Sequence, residues 1–121
     1  MFLRKGFTII ELLIVMMVIA ILVGIALPRF KAMQDEANIA KVNGDLRTLQ
    51  AAVESYYMHY NNTYPATLGS LTSAVPRMVG TTLPKDPFNN NANYTYTISS
   101  GIYTISSRGP TGGTRISITN R

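Results

Sequence analysis

Three patterns of apolar and polar positions divide the chain. From Phe7 to Leu27 the side chains form an apolar run of 21 residues whose one charged member is Glu11. From Ile39 the apolar positions thin into a stripe, Ile39, Val42, Leu46, Leu49, Val53, Tyr56 and Tyr60, at alternating spacings of 3 and 4. That rhythm predicts one face of an amphipathic helix. Near the C-terminus the period shortens to two: Tyr94, Tyr96 and Ile98 alternate with Thr95, Thr97 and Ser99. Ser100-Gly101 then reads as a hairpin turn, Ile102 to Ser106 as the returning strand, and Arg115 to Thr119 as a third strand.

A helix rises ~1.5 Å per residue, so the run from Phe7 to Leu27 spans ~30 Å, the thickness of a bilayer's hydrocarbon core. Continued to Tyr60, where Asn61-Asn62 ends the pattern, the helix covers 54 residues. That is ~80 Å if straight, far longer than a soluble domain of this size needs. Gly24 and Pro28 interrupt it near the end of the apolar part. Pro28 cannot donate to the carbonyl of Gly24, so a kink is expected there. Lys31–Asp35 and Lys41–Asp45 are expected as i,i+4 pairs on the polar side. Between helix and strands, residues 61–93 are rich in turn formers. Leu68 to Ala74 reads as a short helix capped by Thr67, and Pro76, Pro84 and Pro87 break regular structure. The fold class is α+β: one long N-terminal helix, with a small antiparallel sheet whose apolar face covers the Ile39–Tyr60 stripe. Four segments follow: a leader at 1–6, an apolar helix half at 7–28, an amphipathic half at 29–60 and a head at 61–121.

A carboxylate inside an apolar run of membrane length is costly. Insertion scales place an acid at roughly 2.5–3.5 kcal/mol at the centre of a membrane helix, and less towards its end. Glu11 therefore needs a partner, and none is evident within the run. A secretory signal peptide would account for the basic start, but its apolar core is shorter and ends at a small-x-small site, which Leu27-Pro28-Arg29 is not. A plain signal anchor would account for the span and for Arg4 and Lys5, but not for Glu11.

The stretch Arg4-Lys5-Gly6-Phe7-Thr8-Ile9-Ile10-Glu11-Leu12-Leu13 resembles the class III leader and methylation motif of type IV prepilins and type II secretion pseudopilins. The resemblance implies that a membrane prepilin peptidase cuts between Gly6 and Phe7 and methylates the new amine of Phe7. It implies that Glu11 of one subunit meets the Phe7 amine of its neighbour during filament assembly. An α-amine with a reference pKa of about 7.7–8.0 is largely cationic at neutral pH, so the pairing would neutralise two otherwise isolated charges in lipid. It also implies that the helix around Gly24 and Pro28 can melt or stretch in an assembled filament. Further along, Leu83-Pro84-Lys85-Asp86-Pro87-Phe88-Asn89 resembles the Pro-x-Asp-Pro-aromatic-x-Asn loop of the major pseudopilins.

Composition narrows the chemistry. There is no Cys, which excludes a disulfide, a thiolate metal site and a covalent haem attachment. Formal charge is +5, falling by two to +3 without Arg4 and Lys5. The bases Arg77, Lys85, Arg108, Arg115 and Arg121 of the head face one acid, Asp86. Major pseudopilins often bind calcium through acids in the C-terminal loop. The matching stretch, Ser107 to Ile116, has no Asp or Glu and carries Arg108 and Arg115, so no metal is expected. His59, the one histidine, lacks a nucleophile or second ligand and reads as a surface helix residue. Asp86 reads as a turn former. Tyr56, Tyr57, Tyr60 and Tyr64 read as packing at the join of helix and sheet. No catalytic residue and no cofactor are expected.

The function expected is structural: a subunit polymerising into a type IV-like filament, with the Pro-Lys-Asp-Pro-Phe loop pointing to the major pseudopilin of a type II secretion system. The major pilin of a type IV pilus is the alternative within the class. A non-polymerising, membrane-anchored binding module with a basic head is the alternative outside it. The partners expected are copies of the chain itself, the prepilin peptidase, an inner-membrane assembly platform, minor pilins or pseudopilins, and inner-membrane lipid before assembly. The location expected is a single pass of the inner membrane with a periplasmic head, then a periplasmic pseudopilus or an extracellular pilus.

Overall fold

The computed structural model describes residues 3–110 and 113–121. Met1 and Phe2 of the leader, and Thr111 and Gly112 of the glycine-rich loop, lie outside the described residues. A single helix, α1, runs from Ile9 to His59. It is two residues shorter at its start and one at its end than the apolar pattern predicts. It continues through Gly24 and Pro28, so these residues do not interrupt it. Its end is set by Asn61 and Asn62, which take left-handed φ values of 50° and 56°. Asn62 N–H reaches back to the Tyr57 carbonyl at 3.0 Å, satisfying one of the carbonyls that every helix end leaves without a partner.

The chain divides into two compact units, Met1–Asp35 and Glu36–Arg121. In the first, every described side chain from Leu3 to Gln34 is exposed. The large apolar residues from Ile9 to Phe30 remain about half or more exposed all round the helix, from 47 % at Val23 to 81 % at Ile9.

In the second unit the stripe on α1 is the core. Val42, Leu46, Leu49 and Val53 are buried, together with Ala52, which the stripe omits. Ile39, Tyr56 and Tyr60 at its two ends are half-buried. Tyr94, Tyr103 and Ile105 cover it from the sheet side, with Leu68 and Leu71 from the connection. The connection holds one turn of helix, α2, Ser70–Ser73. It is shorter than predicted and preceded by Gly69 with no side-chain cap. Thr67 instead accepts the Ser70 N–H through its backbone carbonyl at 3.2 Å, so the expected Thr67 cap is not made.

Two sheets follow. Lys85–Asp86 (β1) and Ala92–Asn93 (β2) form a two-residue antiparallel ladder, with Lys85 opposite Asn93. Thr95–Ser99 (β3), Ile102–Ser107 (β4) and Ile116–Thr119 (β5) form an antiparallel sheet in the order β3-β4-β5. Ser100 and Gly101, at φ 51° and 77°, make the two-residue turn between β3 and β4. This left-handed pair matches the twist of the strands it joins. The register sets Tyr96 opposite Ile105 and Ile105 opposite Ile118, which puts the apolar set on one face. The alternation read in β3 holds for Tyr94 and Tyr96. Ile98 is 42 % exposed because it lies beside the hairpin turn, opposite Tyr103.

Phenol hydroxyls tie the sheet to the helix at the edges of this core. Tyr94 donates to Asp45 at 2.7 Å and Tyr103 to Glu54 at 2.7 Å. Asp45 also accepts from Lys41 at 2.6 Å. Of the two expected i,i+4 pairs, this is the one formed, and it is the one ion pair among the described residues. Lys31–Asp35 is not made, since an exposed pair gains little over water. Tyr96 donates to the Pro65 carbonyl at 2.9 Å. The tyrosines also stack: Tyr56 on Tyr60 at 4.2 Å and Tyr57 on Tyr64 at 4.3 Å between ring centres.

Two predictions follow from the core. Leu49→Ala should lower the stability of the head by about 2–5 kcal/mol, the range for removing a fully buried leucine side chain. Urea unfolding of the full chain in detergent, followed by tyrosine fluorescence, measures it. Burial raises the Tyr94 and Tyr103 phenols, and the carboxylates of Asp45 and Glu54 raise them further. Tyr96 is pushed up to about 12, first by burial and then by Tyr64. A folded-state value above that of the unfolded chain, about 10, means stability that is complete below about pH 10 and lost as pH rises through 12. Absorbance at 295 nm should show at least these three of the seven tyrosines still protonated at pH 11 while the head is folded.

Candidate functional site

Residues 3–8 have no regular structure, and the chain enters α1 only at Ile9. Gly6 lies in this stretch with no heavy atom within 4 Å of where a Cβ would stand. Phe7 is 89 % exposed. The Gly6–Phe7 bond therefore sits in irregular, uncovered backbone.

Two residues on, Thr8 and Glu11 close on each other. Glu11 Oε2 accepts from the Thr8 backbone N–H at 2.8 Å and from the Thr8 hydroxyl at 2.9 Å. The Thr8 hydroxyl in turn stands 3.3 Å from the Glu11 N–H, and the Thr8 carbonyl accepts the Leu12 N–H at 3.2 Å. This is a capping box, in which two donors at the start of the helix are satisfied reciprocally. The expectation that Glu11 has no partner inside its own run is thus corrected: Thr8 is that partner. A Thr followed three positions later by Glu, just before an apolar run, is a signal the sequence does carry.

The box has a consequence for charge. It holds the carboxylate in the first turn, where the positive end of the helix dipole favours a negative group. Both side-chain bonds fall on Oε2, so Oε1 still offers its lone pairs to a donor from outside. Gly24 and Pro28 lie inside α1, four residues apart, and Gly24 has open space around its missing side chain. No packing within the chain requires a glycine there.

In the head, the loop carrying Pro84, Asp86 and Pro87 is built around one buried carboxylate. Asp86 is 1 % exposed. Its Oδ1 accepts from the Phe88 N–H at 3.0 Å and the Ser107 hydroxyl at 2.8 Å, and its Oδ2 from the Arg108 N–H at 3.0 Å. The bond to Phe88 is the local turn contact read from the sequence. The other two reach the end of β4 and were not legible, because they join residues about twenty positions apart. Asp86 is thus fully used by the fold. With no carboxylate between Ser107 and Ile116, that loop lacks the charged oxygen ligands that calcium takes. Among the described residues there is no cluster of three His, Asp or Glu that could hold a metal. His59 is exposed, with Nδ1 2.9 Å from the Ser55 carbonyl of its own helix.

Comparison with known proteins bears on both parts of the chain. Residues 1–27 match the model of the prokaryotic N-terminal methylation motif. Residues 29–118 match that of type II secretion system protein G. The type II secretion system core protein G of Escherichia coli strain K12 is 29 % identical, over 97 % of this chain and 90 % of its own length. The protein of the same name from Pseudomonas aeruginosa is 27 % identical, over 91 % of this chain and 88 % of its own. The type IV narrow pilus major component PilA5 of Thermus thermophilus reaches 50 % identity, but over 40 % of this chain and 41 % of its own. No solved structure matches the chain. With one model covering the start of the chain and the other nearly all the rest, the chain belongs to the type II secretion system protein G family, the major pseudopilins.

Proposed function

We propose that this chain is a filament subunit of a type II secretion system, built into a periplasmic pseudopilus through residues 7–28. One observation carries the reading. The part of α1 from Ile9 to Leu27, apolar on every side and uncovered by the described residues, carries one carboxylate, Glu11, which is held at its first turn with one oxygen still open. Such a helix needs a lipid or a protein environment around its whole circumference.

In this proposal Arg4 and Lys5 keep the N-terminus on the cytoplasmic side, the helix crosses the inner membrane once, and the head lies in the periplasm. A prepilin peptidase cuts after Gly6, in the irregular stretch ahead of the helix, and methylates the Phe7 amine. That amine then stands immediately before Thr8, at the mouth of the capping box. In the growing filament, the Phe7 amine of one subunit donates to Glu11 of its neighbour, with Oε1 as acceptor. The apolar faces of neighbouring helices replace lipid. The missing donor at Pro28 and the freedom of Gly24 let the helix stretch there under assembly. An inner-membrane assembly platform and minor pseudopilins complete the machine. The filament's growth helps to move folded proteins outward, a mechanical rather than an enzymatic role. The major pilin of a type IV pilus is the second reading, favoured by the 50 % identity, over 40 % of this chain, to a Thermus pilus component.

Glu11→Ala should block filament assembly and leave the protein in the membrane, which electron microscopy of filaments and membrane fractionation would separate. Filaments formed at the normal level by the variant would overturn the role given to Glu11. Mass spectrometry of the N-terminal peptide should find it beginning at methylated Phe7. Found only in the membrane fraction, that peptide supports a pseudopilus. Found in material sheared from the cell surface, it supports a pilus, and an intact Met1 leader in every fraction would contradict both.

A further inference from the structure

The last registered pair between β4 and β5 is Ser107 with Ile116. Arg108 follows directly on the end of β4 and Arg115 directly precedes β5. Like charges brought to one place repel, and neither arginine has a carboxylate within ion-pair distance among the described residues. Asp86, the nearest acid in the fold, meets the backbone N–H of Arg108 and not its guanidinium.

The backbone beside them is closely packed. At Gly109, φ is +75° and a Cβ would stand 2.6 Å from the Thr114 carbonyl oxygen, so the chain approaches itself too closely there for any side chain. Gly109 N–H also stands 3.2 Å from the Ser107 hydroxyl, which itself donates to Asp86. Beyond the neck, the Gly113 N–H reaches the Pro110 carbonyl at 2.8 Å, and a Cβ on Gly113 would meet the Pro110 ring at 2.7 Å. The described backbone at Gly109 and Gly113 is thus closely packed, while Arg108 and Arg115 themselves are exposed. Together with Asn89, Thr95 and Ser107 they line an open cavity of about 320 Å³ with a mainly polar wall. The Asn89 amide and the Thr95 hydroxyl offer further donors at its margin.

We propose that this cavity is an oxyanion site, in which the guanidiniums of Arg108 and Arg115 clamp a phosphate group. Arginine presents a planar fork of N–H donors that matches phosphate oxygens two at a time. A tetrahedral phosphate can accept from two such forks at once, and its charge removes the repulsion between them. The donors of the wall complete its shell, while the carboxylate of Asp86 is turned to the fold by its own three donors. The phosphate comes either from the free ion or from a lipid headgroup at the membrane surface.

The test uses the full chain in a non-ionic maltoside detergent. Inorganic phosphate is titrated in against chloride at matched ionic strength, and the Arg108 and Arg115 side-chain Nε–H resonances are followed by NMR. Both should shift together and saturably. Arg108→Gln or Arg115→Gln should each weaken the response about tenfold or more, the loss expected for one charge-assisted contact. In chloride alone, either variant should melt at a higher temperature than the parent, because the like-charge pair is gone. A second titration uses a short-chain phosphatidylglycerol, with phosphatidylcholine of the same chain length as the neutral-headgroup control. A response to inorganic phosphate supports the site with a free ion as its ligand. A response to phosphatidylglycerol alone supports it with a lipid headgroup. No saturable shift with inorganic phosphate or phosphatidylglycerol, a response to phosphatidylcholine equal to that to phosphatidylglycerol, or an undiminished response in both variants, overturns the proposal.

Discussion

The apolar surface of residues 9–30 has no cover from its own chain, and nearly everything else about the molecule answers to that fact. A side chain such as Leu or Ile is worth roughly 1.5–3 kcal/mol when removed from water. A run of them on all sides of one helix cannot stay in solvent. Lipid can cover it, and so can the same helix from other copies. In the proposed filament, Glu11 would make the two environments unequal. In lipid its charge is a cost, reduced by the capping box with Thr8 and by the helix dipole. Next to the amine of another copy the same charge becomes an attraction.

The second unit solves a different problem, the burial of one stripe instead of a whole circumference. Val42, Leu46, Leu49 and Val53 supply the apolar part, and a three-stranded sheet of modest size covers it. Tyrosines suit this role because each fills apolar space with its ring and reaches an acceptor with its hydroxyl. Tyr94 and Tyr103 end on Asp45 and Glu54, two acids on the margins of the helix stripe. Helix and sheet are thus joined by packing in the middle and by charge-assisted hydrogen bonds at the rim.

Asp86 does for the loops what the stripe does for the sheet. One buried carboxylate gathers the β1 turn and the end of β4 through three donors. A loop with this internal acid can be well defined without a metal. The basic pair beside it, Arg108 and Arg115, is exposed.

Much of this was readable from residues alone. The apolar run, the helical stripe and the Ser100-Gly101 hairpin are periodic or local, and a sequence expresses local geometry directly. The capping box was equally local and could have been read from Thr8 and Glu11. The β1–β2 ladder was hidden by Pro84 and Pro87, which suggest irregular chain, and its two-residue strands are too short to show a period. The sequence by itself determined which stretches are helix and strand, which face of the outer helix is apolar, and that Glu11 stands alone in charge among apolar residues. Only the tertiary structure decided that Asp86 is buried and spent on three donors, that the tyrosine hydroxyls reach helix acids 49 residues away, and that Arg108 and Arg115 line one cavity. Those contacts depend on register and on chain segments brought together from afar, and no local pattern encodes the distance between them.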